Sequence, residues 1–268
     1  VANRETLMDL ASRHIQAAGW RIRTRRLPSA PGNTQAPLIF LHEGLGCIEM
    51  WRDFPQRLCA LTGRAGLLYD RRGYGGSDLL SGRWPYDYLV QEAGIFLPEV
   101  LDACGIDRAV LVGHSDGGSI ALLAAALHRS RVCAAVTEAA HVLVEEVTLA
   151  GIRRTVAAYA STELRTRLAT YHGDNTESVF RRWADTWLAA DFQPWNIEVY
   201  LPRVTCPLLI LQGREDEYAT ADQVRRIAGG VSGPTRVALL PDCGHIPHFQ
   251  APEAVLAEMV PFIQNLEC

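Results

Sequence analysis

The chain has 268 residues, 48% hydrophobic and 21% charged, with a net charge of −4. That composition supports one sizeable core and excludes an extended disordered chain. The slight negative charge gives no reason to expect nucleic acid or an anionic membrane as partner. No apolar run approaches the ~20 residues needed to span a bilayer. The seven cysteines (47, 59, 104, 133, 206, 243 and 268) are odd in number, scattered and without a C-x-x-C pair. They point away from zinc and from a disulfide framework, toward a reducing, cytoplasmic setting. No basic-then-apolar-then-small secretory pattern stands at the N-terminus. The chain begins at Val1 rather than Met, which leaves room for residues or a processed leader before it.

In chain order, 6–18 reads as a helix, with Leu7, Leu10, Ala11, Ile15 and Ala18 at helical spacing and Gly19 as its stop. Trp20–Leu27 is weakly strand-like, and 28–37 is a loop by its Pro, Gly and Asn content. Buried-strand runs recur at 38–41, 67–69, 109–112, 132–136, 208–211 and 237–240. Helical patterns separate several of them, notably 54–61, 91–103, 119–127 and 221–227. Short, doubly buried strands alternating with helices predict an α/β fold, a mostly parallel doubly wound sheet. The stretch 139–203 breaks the rhythm, since a crossover usually needs only about a dozen residues. It carries Tyr159, Phe180, Trp183, Trp187, Phe192 and Trp195 among helical patterns. We read it as an inserted helical lid over the strand ends, leaving 1–138 and 204–268 as the core. An extra helical pair on one edge is the plainer alternative.

Gly113-His114-Ser115-Asp116-Gly117 ends a buried-strand run and leads into a strong helix former. Strand, G-x-S-x-G, helix is the context of a nucleophile elbow. A serine hydroxyl needs a base to take its proton and an acid to orient that base. Both follow, each just past a buried strand: Asp216 in Gly213-Arg214-Glu215-Asp216 and His245 in Gly244-His245. Glu215 and Asp222 compete with Asp216 for the acid, and His248 with His245 for the base.

Together these motifs resemble the α/β-hydrolase fold superfamily over nearly the whole length from Leu38 onward. The likeness extends to His42-Glu43-Gly44-Leu45-Gly46, similar to the H-G-x-x-G oxyanion loop. It also takes in Asp70-Arg71-Arg72-Gly73-Tyr74-Gly75-Gly76-Ser77, similar to D-x-R-G-x-G-x-S, and Gly244-His245 followed by Pro252-Glu253. The resemblance implies a Ser-His-Asp hydrolase of the esterase/lipase kind, with no metal or organic cofactor and a small-molecule acyl substrate. It makes Ser115 the nucleophile, His245 the base and Asp216 the orienting acid. The oxyanion donors it implies are the N–H of Asp116 and that of Gly44, with Leu45 as neighbouring candidate.

Further candidates for the substrate pocket are His42, Glu43, His114, His141, Trp183, Trp187 and His248. His42 is more simply a structural histidine, and His248 a support or pocket wall. His114 and Asp116 line the pocket or pack beneath Ser115, and the arginine pairs 153–154 and 181–182 read as solvated lid faces. Glu43 departs from the family pattern, which has glycine there. A carboxylate ~6 Å from the oxyanion at an effective dielectric of ~20 would cost ~3 kcal/mol. The expectation is that it turns away and pairs with Arg71 or Arg72; the alternative is that it reads a cationic or hydroxylated substrate group. Cleavage of a carboxylic ester through an acyl-enzyme is the best-supported activity, and the lid aromatics suggest an apolar or aromatic part. Runner-up is C–C hydrolysis of the meta-cleavage type, with thioesterase, lactonase and perhydrolase activities open. Haloalkane dehalogenation is disfavoured because its nucleophile would be Asp. Outside this class stands a ligand receptor that keeps the triad.

Overall fold

The computed structural model describes residues 12–268. Eight strands form one sheet in the order β1-β2-β4-β3-β5-β6-β7-β8: Arg13–Ala17, Trp20–Leu27, Leu38–Leu41, Gly66–Tyr69, Ala109–His114, Val132–Glu138, Leu208–Gly213 and Thr235–Leu240 are β1 to β8 in turn. β1 and β2 are antiparallel to their neighbours, and every pairing from β4 to β8 is parallel. The strands alternate their side chains between two cores, as the pleat requires. Ile39, Leu41, Leu111 and Ile210 pack on one face with helices Leu97–Ala103 and Asp116–Leu127. Leu38, Phe40, Val110, Val112 and Leu209 pack on the other with helices Phe54–Thr62 and Pro252–Gln264.

The expected helix at 6–18 is corrected where it is described. Arg13–Ala17 is a strand, hairpinned to β2 through Ala18 (φ 48°) and Gly19 (φ 79°), while 6–11 lie outside the described residues. Two successive positive φ values are what a tight hairpin turn needs. The helix expected at 91–103 starts earlier, at Tyr88, and carries a π-turn over Glu92–Phe96. Pro98 cannot donate to the Gly94 carbonyl four residues back, and His128 Nε2 donates to that oxygen instead, at 3.2 Å. β8 is an edge strand, with Val237 43% and Leu239 36% exposed rather than buried.

Between β6 and β7 lie the helices Glu146–Ser161, Leu164–His172 and Thr176–Trp187. Strand order reverses around β3: β4 lies on one side of it and β5 on the other, with the chain then running outward to β8. Carboxyl ends of strands at such a reversal open a crevice, and the loops after β3 and β5 are 42–46 and the Ser115 turn. Among the described residues no helix is long and apolar enough to cross a membrane.

Candidate active site

Ser115 sits between β5 and its helix with φ 53° and ψ −116°, a backbone conformation costly for a residue with a side chain. The chain pays for it with close packing around the turn. A Cβ at Gly117 would run into the Leu41 carbonyl, and one at Gly113 into the carbonyl of Gly117. Ser115 N–H donates to the Glu138 carbonyl at 2.8 Å, fixing the turn to β6.

The loops after β7 and β8 bring Asp216 and His245 to this turn. His245 Nε2 lies 3.0 Å from Ser115 Oγ, and its Nδ1 lies 2.9 and 3.0 Å from the two Asp216 oxygens. Because Nδ1 faces a carboxylate it must donate, which leaves Nε2 to accept from the serine hydroxyl. The Asp216 carboxylate is buried, and burial raises it; His245, then the Tyr218 N–H at 2.8 Å, outweigh that and hold it below the usual carboxylate range, and the Ala219 N–H also donates to it at 3.1 Å.

The competitors are engaged elsewhere. Glu215 accepts from the Cys243 N–H at 2.7 Å, and Asp222 pairs with Arg225 and Arg226. His248 is bonded through Nδ1 to Glu138 at 2.9 Å, and its ring lies tilted 4.5 Å from that of Trp51. It does not line the cavity beside Ser115, so its place among the pocket candidates is corrected. His42 is corrected likewise. It is buried, donates through Nδ1 to the Glu43 carbonyl at 2.8 Å and accepts the Arg71 N–H on Nε2 at 3.0 Å. Burial, then the neighbouring Arg71, push its imidazole well below its ordinary value.

Asp116 opens the helix after Ser115, where N–H groups have no partner within the helix. Gly44 and Leu45 stand opposite, in the loop after β3, and all three line the cavity. Trp183 packs so closely on Gly44 that a Cβ there would meet its indole.

Glu43 does not pair with Arg71 or Arg72. Arg71 donates to its main-chain oxygen at 2.9 Å, and Arg72 is spent on Glu92 at 3.0 Å. Its carboxylate instead faces His114, with Oε2 3.6 Å from Nδ1. His114 Nε2 lies 2.7 Å from the His245 carbonyl and must donate there. A second proton on Nδ1 then makes an imidazolium facing the carboxylate. Burial alone would raise Glu43, yet His114 brings its carboxyl down to about 2. Burial alone would lower His114, yet Glu43 and Glu138 raise it. The side chain facing the carboxylate beside the oxyanion loop is thus the histidine that precedes the nucleophile.

Ser115 opens on a cavity of about 460 Å³. Met50, Ile152, Leu164, Leu168, Trp183 and Trp187 wall it, and Glu43, His141, Thr148 and Tyr218 add polar groups. His141 donates through Nε2 to the Tyr218 carbonyl at 3.2 Å; burial, then His245, lower its imidazole. Trp183 and Trp187 touch the cavity yet also belong to the core, Trp187 against Phe192 and Trp195. Tyr218 escaped the sequence reading, although its place two residues after Asp216 was the available signal. The arginine reading is corrected at one position: Arg182 is buried and donates to the Leu80 and Gly73 carbonyls, whereas Arg154 is exposed and also borders the cavity. Cys47, Glu49 and Asp70 cluster closely enough to hold a metal, but Glu49 is bonded to Arg23 and Arg25, and Asp70 to Arg23 and two backbone N–H groups. Those partners suit an ion-pair node.

The model of the alpha/beta hydrolase family matches residues 38–258, and the chain belongs to that family. The serine hydrolase BPHL of Homo sapiens is 29% identical over 187 residues, 68% of this chain and 63% of that protein. A proline iminopeptidase of Lactobacillus delbrueckii subsp. bulgaricus is 26% identical over 117 residues, 44% of this chain and 39% of its own length. The chain therefore matches less than two thirds of either relative. A solved serine hydrolase involved in carbazole degradation superposes with a TM-score of 0.75 at 21% identity, covering 94% of this chain and 98% of that one. At that identity the likeness concerns the fold.

Proposed function

We propose that this hydrolase cleaves a carboxylic ester or related acyl compound through an acyl-enzyme. One observation carries the reading: the hydroxyl of Ser115, raised on a positive-φ turn, lies 3.0 Å from His245 Nε2 while Asp216 holds the other ring nitrogen. His245 takes the serine proton as Oγ attacks the carbonyl carbon, then delivers it to the leaving group. Asp216 keeps the ring in the required tautomer and stabilises the imidazolium. The N–H groups of Asp116 and Gly44, with Leu45 beside them, receive the oxyanion. Water, activated by His245, releases the acid. The insertion at 139–203 acts as the lid, and its apolar wall favours an apolar acyl or alcohol part. A panel of short and long p-nitrophenyl esters, acyl-CoAs, lactones and ring-fission products tests this. Multiple turnovers on an ester or thioester support the reading. Labelling of Ser115 without turnover on any member would indicate a ligand receptor instead.

A further inference from the structure

Arg71 fills the variable position of Asp70-Arg71-Arg72-Gly73, and its side chain is fully buried. A guanidinium is placed there at a cost, and its polar contacts say what it does. Its Nε and Nη1 have no hydrogen-bond partner among the described residues. Nη2 donates to the Glu43 carbonyl at 2.9 Å and lies 3.5 Å from Asp116 Oδ2. Both contacts therefore go to the oxyanion region.

The Glu43 carbonyl and the Gly44 N–H belong to one planar trans peptide, so they point in opposite directions. Whatever holds that oxygen aims that N–H. Three donors hold it: Arg71, His42 Nδ1 at 2.8 Å and the Gly46 N–H at 3.1 Å. Across the hole, the Asp116 carboxylate also accepts from the Tyr88 hydroxyl at 2.9 Å, and Trp187 Nε1 donates to that hydroxyl at 3.0 Å. One guanidinium thus ties the two residues that frame the hole. It also gives Asp116 its counter-charge.

We propose that Arg71 is the positioning residue of the oxyanion hole, setting the Gly44 peptide and the Asp116 turn at a fixed separation through a single Nη2. The inference rests on the serine-hydrolase reading above. Lysine cannot replace it fully, because both contacts come from one Nη2 whose N–H directions are fixed by the planar guanidinium, whereas an ammonium is a rotating point charge on a flexible stem. Deleting the cation alone would leave Asp116 buried and unpaired, so the charge-balanced variant is Arg71→Met with Asp116→Asn.

The test measures steady-state ester hydrolysis together with the second-order rate of Ser115 phosphonylation by a fluorophosphonate, whose phosphoryl oxygen occupies the same hole. For Arg71→Met/Asp116→Asn the expected result is a fall of about a hundredfold in kcat and in phosphonylation rate, with KM nearly unchanged. Arg71→Lys, which keeps a cation and the fold, should recover part of this yet remain roughly tenfold below wild type. Wild-type kcat and labelling rate in Arg71→Lys, or in the folded double variant, would overturn the inference. A parallel rise in KM would do so as well, since it would place Arg71 in ground-state binding. Wild-type protein inert to both probes would overturn the hydrolase reading, and the inference with it.

Discussion

Glu43→Gln removes the anion facing His114 at nearly constant volume. At 3.6 Å and an effective dielectric near 20, the gross attraction between the two charges is about 4–5 kcal/mol. Part of it offsets the burial of both groups. The fall of the Glu43 carboxyl to about 2, from an ordinary 4.5, converts to roughly 3 kcal/mol of net stabilisation. The sign follows group by group. Glu43 titrates lower folded than unfolded, so its contribution is present above about pH 4.5 and drains away toward pH 2. His114 titrates above 6.5 in the folded protein, so its contribution is complete below that pH and is lost as pH rises through the folded value. Urea unfolding of wild type and variant should therefore differ most, by about 2–3 kcal/mol, between about pH 4.5 and 6.5, and the gap should narrow in alkali. Because the Glu43 carboxylate is turned toward His114, kcat on neutral esters should stay within a few-fold. Equal stabilities at pH 5.5 would refute the ion pair. A gain in kcat of about a hundredfold would show that the carboxylate faces the oxyanion after all.

Two further predictions separate neighbouring residues. His245→Ala should abolish ester turnover, whereas His248→Gln should keep most of kcat/KM and lose about 3 kcal/mol of stability by breaking the buried bond to Glu138; paired activity and denaturation curves check both, and the reverse pattern would move the base to His248. Gly44→Ala should drive a methyl into the Trp183 indole and cut kcat about a hundredfold. Adding Trp183→Ala should restore activity by making room, and failure to restore it would mean that the glycine serves another purpose.

The strands from Leu38 onward, and the three residues that meet at the Ser115 turn, were legible because each depends on a local pattern. A short apolar run followed by a turn residue marks a strand end, and the three chemistry-bearing residues stand at such ends. The N-terminal misreading has a physical cause. Arg13, His14 and Gln16 are exposed on this edge strand and its apolar alternation is short, while Ile15 and Ala18 continue the three-to-four spacing of Leu7 and Ala11. Ala18-Gly19 was the better signal, since it suits a two-residue hairpin turn. The partner of Glu43 was not legible at all. Arg71 and Arg72 are the richer sources of charge, yet which one reaches the carboxylate depends on the packing of β3, β4 and β5. That packing sends both arginines elsewhere and leaves His114, read from its motif as lining the pocket or packing beneath Ser115, to face it. The burial of Arg182 was hidden for the same reason, because its acceptors lie about a hundred residues earlier in the chain, at Gly73 and Leu80.

Hydrolysis through a Ser115 acyl-enzyme is tested most directly by comparing wild type with Ser115→Ala on a p-nitrophenyl ester in a rapid-mixing experiment. The substitution removes one oxygen from the elbow and leaves its packing intact. Wild type should turn over repeatedly, and the variant should keep the same thermal unfolding while losing roughly 10⁶ in kcat. Near-wild-type turnover by a correctly folded Ser115→Ala protein would contradict the mechanism.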